Sequence, residues 1–456
     1  MSSDSTLTMN EGSWNKYADV LYVDQPAGTG FSFVEQNNYA KDMKQVVDQF
    51  LVFLEKFFQV FPQLEANDMY IAGESFAGVY IPYIASEILH RNEIGGPTSY
   101  RLKGIAIGNG WIDPWNQYLA YFDFAVEKNL LDGLAKDRAE QQLFQCKEEQ
   151  RKNGVRIHTE VCENILQSIL DHSVFKLEDG TMMCVNEYDI RLKDEYPKCG
   201  LKWPYELENI TAYLQKPEVI KALHADGKPT GWRECSGIVG GALDDDRSLP
   251  PVRLLPNILS KIPVLLYSGD QDLICNHRGT EYLIDNLTWN GATGLGPVPT
   301  LNWYIRDQLV GYYQMSRNLT YVLIKDGSHM VPYDKPIELL DMINRFIGVN
   351  ETVVPSRLGD EQTPGAGSLI DEEKWEKYYN TGTIALIVLV AGLAIAGYLW
   401  YRSRKQARFS ALKVGDNEDT NELDQLVVES PAIFSADEQL DSDEELEEED
   451  HRDIRK

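Results

Sequence analysis

Between Ala18 and Glu127, short apolar runs that end at glycine or a turn alternate with helix-length stretches, and this alternation is the tightest constraint the chain places on its own fold. "ADVLYVD", Ala18 to Asp24, runs into the glycine-rich "QPAGTG" and reads as a strand followed by a loop. From Tyr39 to Phe61 apolar residues such as Met43, Val46, Val47, Leu51 and Leu54 recur at helical spacing and stop at Pro62. "DMYIAG" predicts a strand, Ala77 to His90 a helix, "LKGIAIGNG" another strand, and Gln117 to Glu127 another helix. Strand, helix, strand, helix, strand predicts a parallel sheet covered by helices, an α/β fold.

From about 130 to 250 the alternation stops, the pieces become polar and helix-like, and cysteines cluster. This stretch predicts a cap inserted between a first core part, 1–129, and a second, 251–350. Strand signals resume in "IPVLLYSGDQD" and "TYVLIKDGSHM", and "KPIELLDMINRFIG" predicts a closing helix. "SRLGDEQTPGAGSLIDEE", from Ser356, reads as part of a stalk over 351–382.

Thr383 to Tyr401 is 19 residues without a charge, long enough to cross a bilayer as a helix. Arg402, Arg404, Lys405 and Arg408 follow it, which predicts a single-pass type I topology with residues 402–456 in the cytosol. That tail carries 17 acidic and 8 basic side chains and reads as disordered, a surface for cytosolic sorting machinery. The net charge of -28 argues against nucleic acid as a partner. N-x-[ST] sites begin at Asn209, Asn286, Asn318 and Asn350, all on the side predicted to be lumenal, and are candidate glycosylation sites. In that oxidising setting Cys146, Cys162, Cys184, Cys199 and Cys235 read as a disulfide cluster, with Cys146–Cys199 and Cys162–Cys184 as the nested guess among three pairings of the first four. No CxxC or paired-His spacing suggests a metal, and no cofactor is expected.

The chemistry centres on "GESFAG", Gly73 to Gly78. A strand that ends at Gly73 and a helix that starts at once expose the Ser75 hydroxyl and aim the Phe76 N–H at an anion formed beside it. A strict G-x-S-x-G would place glycine where Ala77 stands, so the motif alone is weak. A serine nucleophile needs a base, and the base an orienting acid. His329 follows the strand in "VLIKDGSHMVPYD", whereas His90, His158, His172, His224, His277 and His451 lie in settings that read as structural or solvated. Asp272 follows "PVLLYSG", with Asp270 its nearest competitor. Serine, aspartate, histidine in chain order is the order of α/β-hydrolases.

"GESFAGVYIPYIA", "DVLYVDQPAGTGFSF", "GIAIGNGW", "LLYSGDQDLICN" and "DGSHMVPYDKP" closely resemble serine carboxypeptidases, over about Trp14 to Phe346. The anchor and acidic tail narrow the resemblance to membrane-bound, pheromone-processing members of the late Golgi that remove C-terminal Lys and Arg from peptides. The resemblance implies an α/β-hydrolase fold with a disulfide-containing cap, and Ser75, Asp272 and His329 as a triad. It implies that Glu74 binds the substrate's C-terminal carboxylate. Two carboxyl groups share a site only when one is protonated, so activity is expected to favour mildly acid pH. Cys275 matches an unpaired family cysteine near the substrate pocket. Cys235 corresponds to a cysteine paired, in the family, with one in an N-terminal Asn-Gly-Gly-Pro-Gly-Cys segment that this chain lacks. With no signal peptide visible in "MSSDSTLTMNEGSWNKYADV", the expectation is an N-terminal truncation of roughly a hundred residues, about part of a domain, and possible inactivity. An acyltransferase on the same scaffold and a silent, anchored glycoprotein are the alternatives. Asp244, Asp245 and Asp246 read as a solvated loop rather than a pocket for basic side chains.

Overall fold

A computed structural model of the chain describes residues 7–35, 38–95, 99–228, 231–349 and 354–362. Seven strands form one sheet: β1 (Met69–Glu74), β2 (Leu102–Gly108), β3 (Val264–Gly269), β4 (Leu301–Ile305), β5 (Gln308–Ser316), β6 (Leu319–Ile324) and β7 (Ser356–Gln362). Their spatial order is β1-β2-β3-β6-β5-β4-β7. β1, β2, β3 and β6 run parallel to one another, and β5, β4 and β7 continue the sheet antiparallel. Parallel strands need crossover connections, supplied here by helices and by the long inserted region.

The central strands are apolar along their length because both sheet faces are covered; every residue of β3 is buried. Helix α1 (Met43–Val60) begins where the Asp42 carboxylate accepts the Gln45 N–H, and it turns Met43, Val46, Val47, Leu51 and Leu54 inward. Helices α2 (Ala77–Glu93) and α3 (Pro114–Glu127) follow β1 and β2. Leu51, Ile81, Ile88, Ile105 and Val264 share one core cluster, and Trp303, Val322 and Leu339 belong to another.

The inserted region contains a helical pair, α4 (Gly133–Asn153) and α5 (Glu160–His172), and a small antiparallel sheet whose strands are Phe175–Lys176, Met182–Val185 and Lys193–Glu195. Its disulfides correct the nested guess: Cys146 pairs with Cys162 and Cys184 with Cys199. Antiparallel packing of α4 on α5 brings the first pair to a Cα separation of 4.7 Å, and the turn after Lys193–Glu195 brings the second to 5.4 Å. Cys235 is exposed and free.

Two further expectations change. Ala18 to Asp24 has no ladder partner among the described residues and is not a strand, and Tyr22 is exposed. Ser356–Gln362, read as part of the stalk, is strand β7 against β4. The Ser356 hydroxyl donates to Asp341 Oδ1 and accepts from Arg345, which ties this strand to helix α7 (Pro336–Ile347). Among the described residues no helix is long and apolar enough to cross a membrane, and Thr383–Tyr401 and the acidic tail lie outside them.

Candidate active site

Ser75, Asp272 and His329 stand at the C-terminal ends of β1, β3 and β6, on one rim of the parallel half of the sheet. The backbone at Ser75 is left-handed, with φ of 58°, in the sharp turn from β1 into α2. Such a φ is strained for a non-glycine residue. Three backbone bonds hold it: Ser75 N–H donates to Gly108 C=O at 3.0 Å, and the Ser75 carbonyl accepts from Gly78 and from Trp111, both at 2.9 Å. Glycine is needed at 73 and 78 rather than at 77. A Cβ on Gly73 would come within 2.6 Å of Ala77 Cβ, and one on Gly78 within 2.6 Å of the Trp111 nitrogen.

His329 Nδ1 lies 2.9 Å from Asp272 Oδ2, with His329 4% exposed and Asp272 0%. Burial disfavours a charged imidazole, but the Asp272 carboxylate, helped by Glu74 and Glu187, outweighs it and raises the His329 pKa above its ordinary value. Asp270 instead takes a hydrogen bond from the side chain of its neighbour Gln271, so Asp272 is the aspartate that lies against His329. His158 and His172 pair with Glu163 and Asp132 in the inserted region, and His277 is buried against Phe124.

Glu74, the last residue of β1, is half-buried. Burial pushes its carboxyl up to about 8, with His329 opposing the shift and Asp272 and Asp334 adding to it. It is therefore protonated through the mildly acid range. Cys275 is buried and unpaired, and burial holds its thiol far above its ordinary pKa, as a thiol rather than a thiolate. Phe76, the first residue past Ser75, is an exposed residue at the start of α2. Among the described residues no cluster of His, Cys, Asp or Glu could hold a metal.

Asn109 is a site residue that sequence reasoning missed. Fully buried at the end of β2, it donates from Nδ2 to the carbonyls of Ser328 and His329 at 2.9 and 2.7 Å, and its Oδ1 accepts the Gly269 N–H at 2.9 Å. One amide thus ties the loop carrying the imidazole to the end of β3. Only its position after an apolar strand, in "AIGNG", was available as a signal. Of the sequon asparagines, Asn209 lies in a short helix, Asn286 ends helix α6 (His277–Asn286), and Asn318 sits in the β5–β6 turn; Asn350 is outside the described residues. Asp246 accepts bonds from Ser248 within its own loop.

Comparison with known proteins gives a consistent picture. The profile of the serine carboxypeptidase family matches residues 1–349. The pheromone-processing carboxypeptidase KEX1 of Pyricularia oryzae is 42% identical over 438 residues, covering 90% of this chain and 69% of that protein. Its namesake in Fusarium vanettenii is 43% identical over 441 residues, covering 90% and 71%. Among solved structures, the prohormone-processing carboxypeptidase Kex1(delta)p of Saccharomyces cerevisiae superposes with a TM-score of 0.72 at 35% identity, covering 76% of this chain and 77% of that one.

Proposed function

The chain belongs to the serine carboxypeptidase family, hydrolytic exopeptidases, and from that premise we propose that it removes C-terminal Lys and Arg from peptide precursors in the late secretory pathway. The observation that carries the reading is the buried 2.9 Å contact between His329 and Asp272 on the rim where the Ser75 elbow opens.

In this reading the fold is that of an α/β-hydrolase, and each side chain has one task. The Ser75 oxygen attacks the scissile carbonyl while His329 takes its proton. Asp272 fixes the imidazole tautomer and stabilises the imidazolium that forms. The Phe76 N–H, at the start of α2, donates to the oxyanion. His329 then returns the proton to the leaving amine, and water releases the acyl group from Ser75. Glu74, protonated below about pH 8, donates a hydrogen bond to the substrate's terminal carboxylate, which limits the enzyme to free C-termini.

The preference for basic residues is drawn from what the relatives' names describe, pheromone and prohormone processing. Thr383–Tyr401, outside the described residues, is proposed as the single anchor that keeps the catalytic part on the lumenal side of the late Golgi, leaving the acidic tail to cytosolic sorting machinery. A mass-spectrometric time course on a peptide ending in Lys-Arg tests this. Sequential loss of Arg and then Lys is expected, and an equal rate on a peptide ending in neutral residues would remove the basic preference.

A further inference from the structure

Asp272 and His329 sit on separate loops, and a five-residue stretch of the inserted region, Glu187 to Arg191, is bonded to both. On the side of the acid, Leu273 and Ile274 N–H both donate to the Glu187 carbonyl at 3.1 Å, and Ile190 N–H donates to Gln271 C=O at 3.0 Å. On the side of the base, His329 N–H donates to the Tyr188 carbonyl at 2.8 Å, and the Tyr188 ring lies 5.1 Å from the imidazole. The stretch is itself anchored: Glu187 N–H donates to the carbonyl of Cys199, half of the Cys184–Cys199 disulfide.

Arg191 closes this bridge. Its guanidinium holds the buried Asp189 by two bonds, from Nε at 2.8 Å and from Nη2 at 2.7 Å. It also donates from Nη1 to the Asp326 carbonyl at 3.0 Å and from Nη2 to Asp334 Oδ2 at 3.3 Å. That same Asp334 oxygen accepts the N–H of Ser328, the residue before the imidazole, at 3.0 Å. Arg191 therefore grips the loop on both sides of His329, at Asp326 and at Asp334, from a carboxylate fixed in the inserted region.

We propose that Arg191 is a positioning residue for catalysis, pinning the His329 loop to the inserted region so that the imidazole stays in register with Asp272 and Ser75. This goes beyond the peptidase reading and rests on it for the kinetic part of its test. The physical reason is that only a planar fork can serve Asp189 bidentately while reaching a second carboxylate and a carbonyl. Without the cation, Asp189 and Asp334 lose their shared counter-charge, and repulsion between them drives the loop away. The inserted region is on this account part of the catalytic frame as well as a cover.

The test compares Arg191→Ala and Arg191→Lys with the unaltered chain, and with Arg278→Ala as a control. Arg278 makes comparable pairs, to Glu127 and Glu281, that touch neither loop. In Arg191→Ala, kcat should fall roughly tenfold to a hundredfold, the range a small misplacement of a catalytic group costs, while KM changes less than about twofold. Labelling of Ser75 by a fluorophosphonate should slow in parallel, Arg191→Lys should recover part of the loss, and Arg278→Ala should leave kcat alone. Unchanged kcat in a folded Arg191→Ala protein, or an equal loss in Arg278→Ala, overturns the proposal. If the unaltered chain shows no turnover, the peptidase reading fails separately. The pin is then judged by the downfield proton resonance of the His329–Asp272 bond, which should shift or broaden in Arg191→Ala and which, unmoved, would refute it.

Discussion

The two halves of the large sheet are built differently and used differently. β1, β2, β3 and β6 run parallel, and each ends on the same rim at a residue of the candidate site: Glu74 ending β1 with Ser75 after it, Asn109 after β2, Asp272 after β3, His329 after β6. β5, β4 and β7 run antiparallel and bring none of these residues. They carry Trp303, whose indole N–H donates to Asp341 Oδ2 at 2.9 Å, and Ser356, held by Asp341 and Arg345. Parallel strands deliver their chain ends to one edge and so gather distant residues, whereas antiparallel neighbours return the chain at alternate edges and serve to cover the core.

Substitutions should separate the halves, and the largest effect lies on the parallel rim. Ser75→Ala should lower kcat on the order of a millionfold, as loss of a serine nucleophile does, with folding intact by circular dichroism. Asp272→Asn should lower kcat by about ten-thousandfold through the wrong imidazole tautomer, and should bring the His329 pKa down in a proton NMR titration, because it removes the charge that raises it. In the antiparallel half, Asp341→Ala should cost about 3 kcal/mol in urea unfolding, since it strips partners from Trp303, Arg345 and Ser356, and should leave kcat/KM unchanged. A loss of activity there at full folding would break the distinction.

The smallest expected effect is one of pH, again on the parallel rim. Glu74 is protonated below about 8, and in the proposed mechanism the protonated carboxyl donates to the substrate carboxylate. Above that pH two like charges meet, so KM should rise about tenfold per pH unit as Glu74 ionises. Glu74→Gln keeps a donor without a titrating proton and should abolish that rise, as measured by KM between pH 6 and 9. On the acid side, kcat should fall as pH drops through the raised pKa of His329, because only the neutral ring accepts the serine proton.

The parallel half was also the legible half. Its strands are apolar runs bounded by glycine, and three of its ends carry residues whose chemistry is distinctive in pairs and triplets: a serine at a tight turn, an aspartate, a histidine. The antiparallel strands went unread because Gln308–Ser316 mixes polar and apolar residues in a half-buried position, and Ser356–Gln362 is polar enough to pass for a linker. Ala18–Asp24 shows the opposite error, a strand-like composition without a neighbour to pair with. The disulfides were misassigned because spacing does not reveal that α4 and α5 fold back on each other. Asn109 acts through carbonyls 219 and 220 residues away, and Arg191 through a carbonyl 135 and a carboxylate 143 residues away, which no local pattern encodes.

The central claim is that the Ser75 hydroxyl is the activated nucleophile of this rim. Incubation of the chain with a fluorophosphonate, digestion and tandem mass spectrometry tests it most directly. The account predicts one adduct, on Ser75, that forms far more slowly in His329→Ala. Absence of an adduct on folded protein, or a Ser75 adduct whose rate is indifferent to His329, would contradict it.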